Sequence, residues 1–397
     1  MEKRSKIIVI AGLLIMELLA AIDTTGVTVM VPTLQAYFHI PANIAGWILM
    51  AYLLPFSLFL VPMGWLADRI GKPEKILLWS IFSFSISSAC CALAVNEYML
   101  IAFRIIKGIS SAGMFATEFA IIIKYWRDPR RTVEIVIIGL GIGVLIGPIF
   151  GALFSDPNHW RYFFLLGSIL ALCGFIAYHW LKNLEPVVRE ADLQDLSGQN
   201  TFGSKTRILF KALGWGILLD IVVSTAVQGT NLLVTLHVQE HLAKSPLFNG
   251  SILLTISLGM IISNAAGIGS RLFQKTKTAV WASGAAFAGF LLLLAATTNW
   301  INPLAFILYL LMGIVLGIFL STLELMVLNP LPTSMLAQGN GWIISSMQAG
   351  YGLGSFLVPI LYLQLGITKT SLSLALMVII MIAIYLFFNK LKSPKPR

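Results

Sequence analysis

Charge is what this chain has least of. Asp, Glu, Lys and Arg make up 11% of its 397 residues, about half the usual share of a soluble domain. Cysteine is nearly absent too. Cys90, Cys91 and Cys173 all fall inside apolar runs, which excludes a disulfide framework and leaves no metal-ligand spacing. The five histidines, at 39, 159, 179, 237 and 241, stand at or near the ends of apolar runs and share no ligand spacing. No metal site and no cofactor are therefore expected. The chain also lacks a nucleophile–base set and a phosphate loop, so an enzyme is not expected. Period-two alternation is missing from the apolar runs, and this excludes a membrane barrel.

What is present is hydrocarbon. Hydrophobic residues form 58% of the chain and the mean hydropathy is +0.88. Apolar stretches of about 20 residues, the length of a membrane span, recur along almost the whole chain. Backbone groups in lipid must bond internally, so the spans are helices and the chain is an all-α membrane protein. The pattern predicts twelve transmembrane helices at 7–31, 44–66, 76–95, 98–123, 133–153, 162–181, 213–236, 250–268, 279–298, 304–328, 339–363 and 372–388. The basic start, Met1 to Lys6, imitates a signal peptide, but the run behind it continues to Val31. That is too long for a signal core, so it reads as the first span.

The net charge of +10 could point to nucleic acid, but its distribution points to topology. With the N-terminus in the cytoplasm, 22 of the 27 Lys and Arg fall in inner segments. Only Arg161, Lys244 and Lys369 lie outside, with Arg104 and Lys107 inside a span. This positive-inside bias predicts cytoplasmic termini in a plasma membrane, most simply a bacterial inner membrane, and no nucleic-acid partner. The longest polar stretch divides the chain into a six-helix bundle over 1–181, a cytoplasmic linker over 182–211 and a six-helix bundle with a tail over 212–397. Within that linker, residues 197–203 read as flexible.

The short turn Gly64-Trp-Leu-Ala-Asp68-Arg69-Ile-Gly71-Lys72 packs three charges and two glycines between two apolar runs. It resembles the G-x-L-a-D-R-x-G-R/K loop between the second and third helices of major facilitator superfamily transporters. It departs where Pro73 replaces a second basic residue and Lys75 regains the charge. Residues 267–277 hold the corresponding place in the second half but lack the acid and the second glycine. The resemblance implies two pseudo-symmetric six-helix bundles with binding near the midplane. Asp68 could form a charge latch with the basic residues after helix 4, Lys124, Arg127, Arg130 and Arg131.

In the fifth span, Gly139, Gly143, Gly147 and Gly151 recur every four residues and line one bare helix face, with Pro148 permitting a bend. This segment is similar to the gxxxGPxxGG motif of drug/proton antiporters, with Ala152 in place of the last glycine. The segment Ile22-Asp23-Thr24 to Pro32 in helix 1 resembles L-D-x-T-x-V-N-V-A-L-P of the multidrug exporters. Trp47, Tyr52, Leu53 and Leu54 match that branch as well. Together these imply proton-coupled efflux, with Gly64, Asp68, Arg69, Gly71, Gly143, Gly147, Pro148 and Gly151 in gating.

Ionisable residues inside spans are costly and point to function. At about 1.5 Å per residue, Asp23 and Arg104 lie at similar depth in the outer half and can pair. Glu17 and Lys107 both fall near the midplane, as does Asp220. Arg104-Ile-Ile-Lys107-Gly108 resembles the R-x-x-Q-G of helix 4, a segment tied to proton coupling, with Lys107 replacing Gln. Glu17 lies 52 residues before Arg69 and Asp220 lies 51 before Arg271, near-equivalent places in the two halves. Proton coupling is therefore expected at Asp23, Arg104 and Glu17. A cavity is expected at Glu17, Lys107, Asp220, Gln228, Asn231 and Gln348. Glu118 and Glu324 are expected near inner helix ends, solvated or gating, and the sequon at Asn249 is expected to be unused.

The expected activity is proton-driven efflux of a small lipophilic or cationic organic compound by alternating access. Export of an endogenous metabolite such as a siderophore, uptake by proton symport, and a non-transporting receptor or scaffold are the alternatives. The expected partners are a small-molecule substrate, protons and the lipid bilayer, and the expected state is a monomer.

Overall fold

The computed structural model describes residues 2–126, 129–179, 202–265, 276–296, 303–328 and 336–392. Among them every regular element is helical. The helices are α1 (Glu2–Phe38), α2 (Ala42–Ile70), α3 (Pro73–Ala92), α4 (Glu97–Tyr125), α5 (Pro129–Leu153) and α6 (Trp160–His179). They continue as α7 (Phe202–Leu236), α8 (Pro246–Ala265), α9 (Thr276–Ala296), α10 (Pro303–Leu328) and α11 (Leu336–Lys392). Nine helical segments among the described residues are long and apolar enough to cross a membrane. Residues 138–153 and 280–296 form shorter apolar helices.

Helix ends depart from the expected spans in informative ways. The helix α1 extends beyond residues 7–31 at both ends, because nothing at Lys3–Lys6 or at Pro32 stops a helix. The helix α7 begins eleven residues before the expected start, inside the stretch read as linker, and passes into a π-helical turn at His237–His241. The last two expected spans run together as α11, broken at Gly366, whose φ of 71° only glycine takes up without strain. Residues 180–201, which hold most of the expected linker, and the turn at 267–275 lie outside the described residues.

Local chemistry explains several boundaries. Asn96 caps α4, its side-chain oxygen accepting from the Met99 N–H at 2.8 Å. The helix α2 ends on Gly71 in the left-handed region (φ 65°), its N–H bonded to the Ala67 carbonyl, and Pro73 starts α3. Hydroxyls in the spans fold back onto their own helix: Thr24, Thr25 and Thr28 donate to carbonyls four residues earlier at 2.8–3.0 Å. Each polar group is thereby satisfied without water.

The chain divides into two compact units, Met1–Arg207 and Ile208–Arg397. In the first, α1 packs on α5 and α6, α2 on α4, and α3 on α4 and α6. The α1–α5 contact runs along the glycine face. A Cβ on Gly139 would stand 2.7 Å from the Leu14 carbonyl and one on Gly143 2.6 Å from that of Leu18, while one on Gly147 would strike Thr25 and one on Gly151 the Gly26 backbone. In the second unit α8 packs on α10, and α9 on α10 and α11. There Gly350 and Gly354 of α11 meet the backbone of α7 at Ile221 and Thr225 in the same bare fashion.

Candidate functional site

The charged centre of the first unit is Asp23. Its Oδ1 accepts from Lys107 Nζ at 2.6 Å and its Oδ2 from Arg104 Nη1 at 3.3 Å. All three side chains are buried: Asp23 is 3% exposed, Arg104 0% and Lys107 1%. Arg104 and Lys107 are three apart on α4, so one helix face brings both to one carboxylate. The expected Asp23–Arg104 pair is present. Lys107, expected at the depth of Glu17, is bound to Asp23 instead.

Aromatic faces hold the two cations in place. The Arg104 guanidinium lies 5.2 Å from the centre of the Tyr52 ring, and Lys107 Nζ lies 4.7 Å from that of Phe84 and 5.2 Å from that of Phe164. Arg104 Nε also donates to the Ile48 carbonyl. Its Nη2 is buried with no partner, an unmet donor of the kind that normally demands explanation. A cleft lined by Ile22, Asp23, Phe84, Lys107, Phe163 and Gly167 reaches the cluster. Two cations face one carboxylate here, so the cluster carries an excess positive charge.

A second acidic pair lies on the same two helices, Glu17 on α1 and Glu118 on α4. Glu17 is 5% exposed and Glu118 4%, and their carboxyls lie within hydrogen-bonding reach of each other. The expectation of a solvated Glu118 is therefore wrong: α4 is packed on both α2 and α3 and its inner half is not at the surface. Between the two charged groups, Tyr52 Oη and Ser111 Oγ bond at 2.9 Å. The spacing 104, 107, 111, 118 on α4 was available in the sequence as one helical face. The role of Tyr52, Ser111 and Glu118 on it was not anticipated.

In the second unit Asp220 is buried and accepts a bond from the Ser346 hydroxyl, a partner that sequence reading did not identify. Gln228 and Gln348 are buried, the latter with its Oε1 unpartnered, and Asn231 is half-buried. Asn249 is fully buried and donates to Thr235 Oγ1 at 3.0 Å, so its sequon faces no solvent. His237 and His241 stack at 4.9 Å, and no group of three potential ligands forms a metal site among the described residues.

The signature turn is partly visible. Arg69 lies over the Trp65 ring at 5.2 Å. The side chain of Asp68 and those of Arg130 and Arg131 lie outside the described residues, as does Arg127. Lys124 pairs with Glu74 of α3 at 2.8 Å.

A helical chain with membrane-length apolar segments and buried, paired charges has the make-up of a membrane carrier. The Major Facilitator Superfamily model matches residues 13–355, and the chain belongs to that superfamily. Its membrane-length apolar helices agree with an integral membrane protein of that superfamily. Its sequence is related to multidrug efflux branches. It is 29% identical over 160 residues to the multidrug resistance protein B homolog of Mycobacterium tuberculosis, covering 40% of this chain and 29% of that protein. It is 25% identical over 221 residues to the multidrug export protein EmrB of Escherichia coli, covering 55% and 40%. The efflux pump dotC of Dothistroma septosporum is 34% identical over 178 residues, covering 44% and 30%. The chain thus spans less than half the length of these curated relatives.

Solved structures share the fold. A POT family transporter in complex with a thioalcohol-conjugated peptide matches with a TM-score of 0.72 at 16% identity, covering 97% of this chain and 96% of that one. Another, in complex with 5-aminolevulinic acid, gives 0.68 at 14% with the same coverage. A bacterial homolog of the human lysosomal transporter Spinster, inward-facing and unoccupied, gives 0.72 at 15%, covering 98% of each chain.

Proposed function

We propose that this carrier couples protons to the uptake of a small organic compound bearing an anionic or zwitterionic group. The observation that carries this reading is the ratio of two buried cations to one carboxylate at Asp23. A proton arriving on Asp23 frees Arg104 and Lys107, and the freed cations then attract a carboxylate on the cargo. Each event favours the other, and such reciprocal coupling is what symport requires. The unpartnered Nη2 of Arg104 supplies a donor for that group. A cationic cargo gains nothing from a carboxylate already held by two cations, which disfavours the cationic cargo expected from the sequence. Peptide-like and amino-acid-like ligands in solved carriers of this fold agree with this choice.

Efflux by antiport is the second reading. It is supported by the glycine face of α5 against α1 and by the names of the curated relatives. In either case the reading includes twelve crossings in two six-helix bundles, cytoplasmic termini, a monomer and alternating access. Gly64, Asp68, Arg69 and Gly71 act at the gate.

Proteoliposomes with a trapped pH dye separate the readings. Adding amino acids, short peptides and carboxylates outside should acidify the lumen under symport. Lipophilic cations that alkalinise it would establish antiport instead. If no compound in either panel moves the dye, the carrier reading fails and a receptor or scaffold takes its place.

A further inference from the structure

Six charged side chains of α1 and α4 are buried; Lys124 pairs with Glu74 of α3, and the other five fall into two groups. Asp23, Arg104 and Lys107 satisfy one another. Glu17 and Glu118 do not, because two carboxylates offer acceptors and no donor. Oε2 of Glu17 and Oε1 of Glu118 are out of reach of water and meet no donor from the protein. Leaving both ionised and bare in a membrane interior would add mutual repulsion to the desolvation penalty.

The surrounding charges do not relieve this. On α4, Arg104 and Lys107 are held by Asp23, and Lys124 is held by Glu74 of α3. On α2, the Tyr52 hydroxyl is engaged with Ser111. The glycine face of α5 brings Gly139 and Gly143 to this stretch of α1, and α6 brings Gly174 against Met16. Among the described residues no Lys or Arg pairs with either glutamate. The missing donor has one economical source, a proton.

We propose that Glu17 and Glu118 form a carboxyl pair that binds one exchangeable proton between them, a proton site separate from the Asp23 cluster. One shared proton leaves the pair with a single negative charge. Together with Asp23 it then balances Arg104 and Lys107, so the buried interior of the first unit is neutral. Loss of that proton leaves the interior with a net negative charge, and gain of a second leaves it positive. The pair therefore sets the charge against which cargo binds at Asp23, which lies about two helical turns from Glu17 along α1. This assignment rests on the carrier reading only for its coupling role, and the binding of the proton stands apart from it.

Infrared difference spectroscopy on the purified full chain, with pH as the only variable, tests the site without any cargo. The wild type should show a protonated-carboxyl band that disappears as the pH is raised. Glu17→Gln and Glu118→Gln should each abolish it, while Asp23→Asn keeps it and Asp220→Asn identifies any contribution from the second unit. Potentiometric titration of each of the two Gln variants should show one exchangeable proton fewer per chain over the same range. The amide of either Gln supplies the missing donor, so both variants should retain the wild-type melting temperature. A band that persists in both Gln variants, or that does not respond to pH while the protein stays folded, would overturn the proposal. Silent vesicles in the dye assay alongside a pH-sensitive band would remove the carrier reading and leave the proton site standing.

Discussion

The two halves of this chain share a way of packing and differ in what they bury. In the first, α5 lays Gly139, Gly143, Gly147 and Gly151 on the backbone of α1; in the second, α11 lays Gly350 and Gly354 on that of α7. The α2–α4 contact at Gly108 and Tyr52 likewise has a counterpart in α8–α10, where Gly259 and Gly313 meet the backbones of Leu310 and Ile256. Buried charge does not repeat. The first half buries Arg104, Lys107 and Lys124 and three carboxylates, whereas among the described residues the second buries no Lys or Arg in its spans and gives Asp220 a hydroxyl of Ser346. Small residues let helices approach anywhere in the fold, but charges in lipid need specific partners. The repeat is thus mechanical in both halves and chemical in one.

The largest expected effect comes from removing the carboxylate that the first half depends on. Asp23→Asn leaves two cations buried without a counter-charge and should lower stability by about 3–5 kcal/mol. Asp220→Asn keeps a partner for Ser346 and should lose only about 1 kcal/mol. Thermal unfolding in detergent measures both. Equal losses would mean that the two acids are equivalent and the contrast is unfounded. Adding Lys107→Gln to Asp23→Asn should recover part of the stability, because one stranded cation is gone.

Next in size is the shared packing. Leucine at Gly147 meets Thr25 and Ile22, and leucine at Gly350 meets Ile221 and Ser224. Each should be destabilised by about 1–3 kcal/mol through overpacking or helix separation. The similarity of the two losses is the point. If Gly350→Leu is tolerated and Gly147→Leu is not, the glycine face of α5 is specific to the first half, and its resemblance to an antiporter motif gains weight over ordinary packing.

The class, the all-helical fold and the burial of Glu17, Asp23 and Asp220 were legible in the sequence, and the partners that geometry decides were not. Continuous apolar runs and the turn at Gly64–Lys72 led to a membrane helical carrier because lipid leaves the backbone few options. Spacing of four placed the glycines on one face, since a helix has a fixed period. Which cation meets Glu17 could not be read in this way. Antiparallel helices slide freely in register until side chains interlock, and less than two turns of α1 separate the level of Asp23, where Lys107 binds, from that of Glu17, where it was expected. Glu118 was misjudged because a position near a helix end is solvated only if no neighbouring helix covers it.

Smaller effects belong to the signature turn, which has lost its acid in the second half. Gly71→Ala puts a Cβ at a φ of 65° and should lose about 1–2 kcal/mol. Gly64 is a different case. Its added Cβ would stand 3.9 Å from that of Ala116, ordinary contact, and alanine is the better helix former by roughly 0.5–1 kcal/mol. Gly64→Ala should therefore raise the melting temperature slightly. If the turn acts as a gate, the same variant should slow cargo flux in proteoliposomes, because α2 and α4 must approach more closely in another state than they do here. A variant that is more stable and equally fast would reduce Gly64 to a packing residue, and gating would then have to rest on Asp68, Arg69 and Gly71.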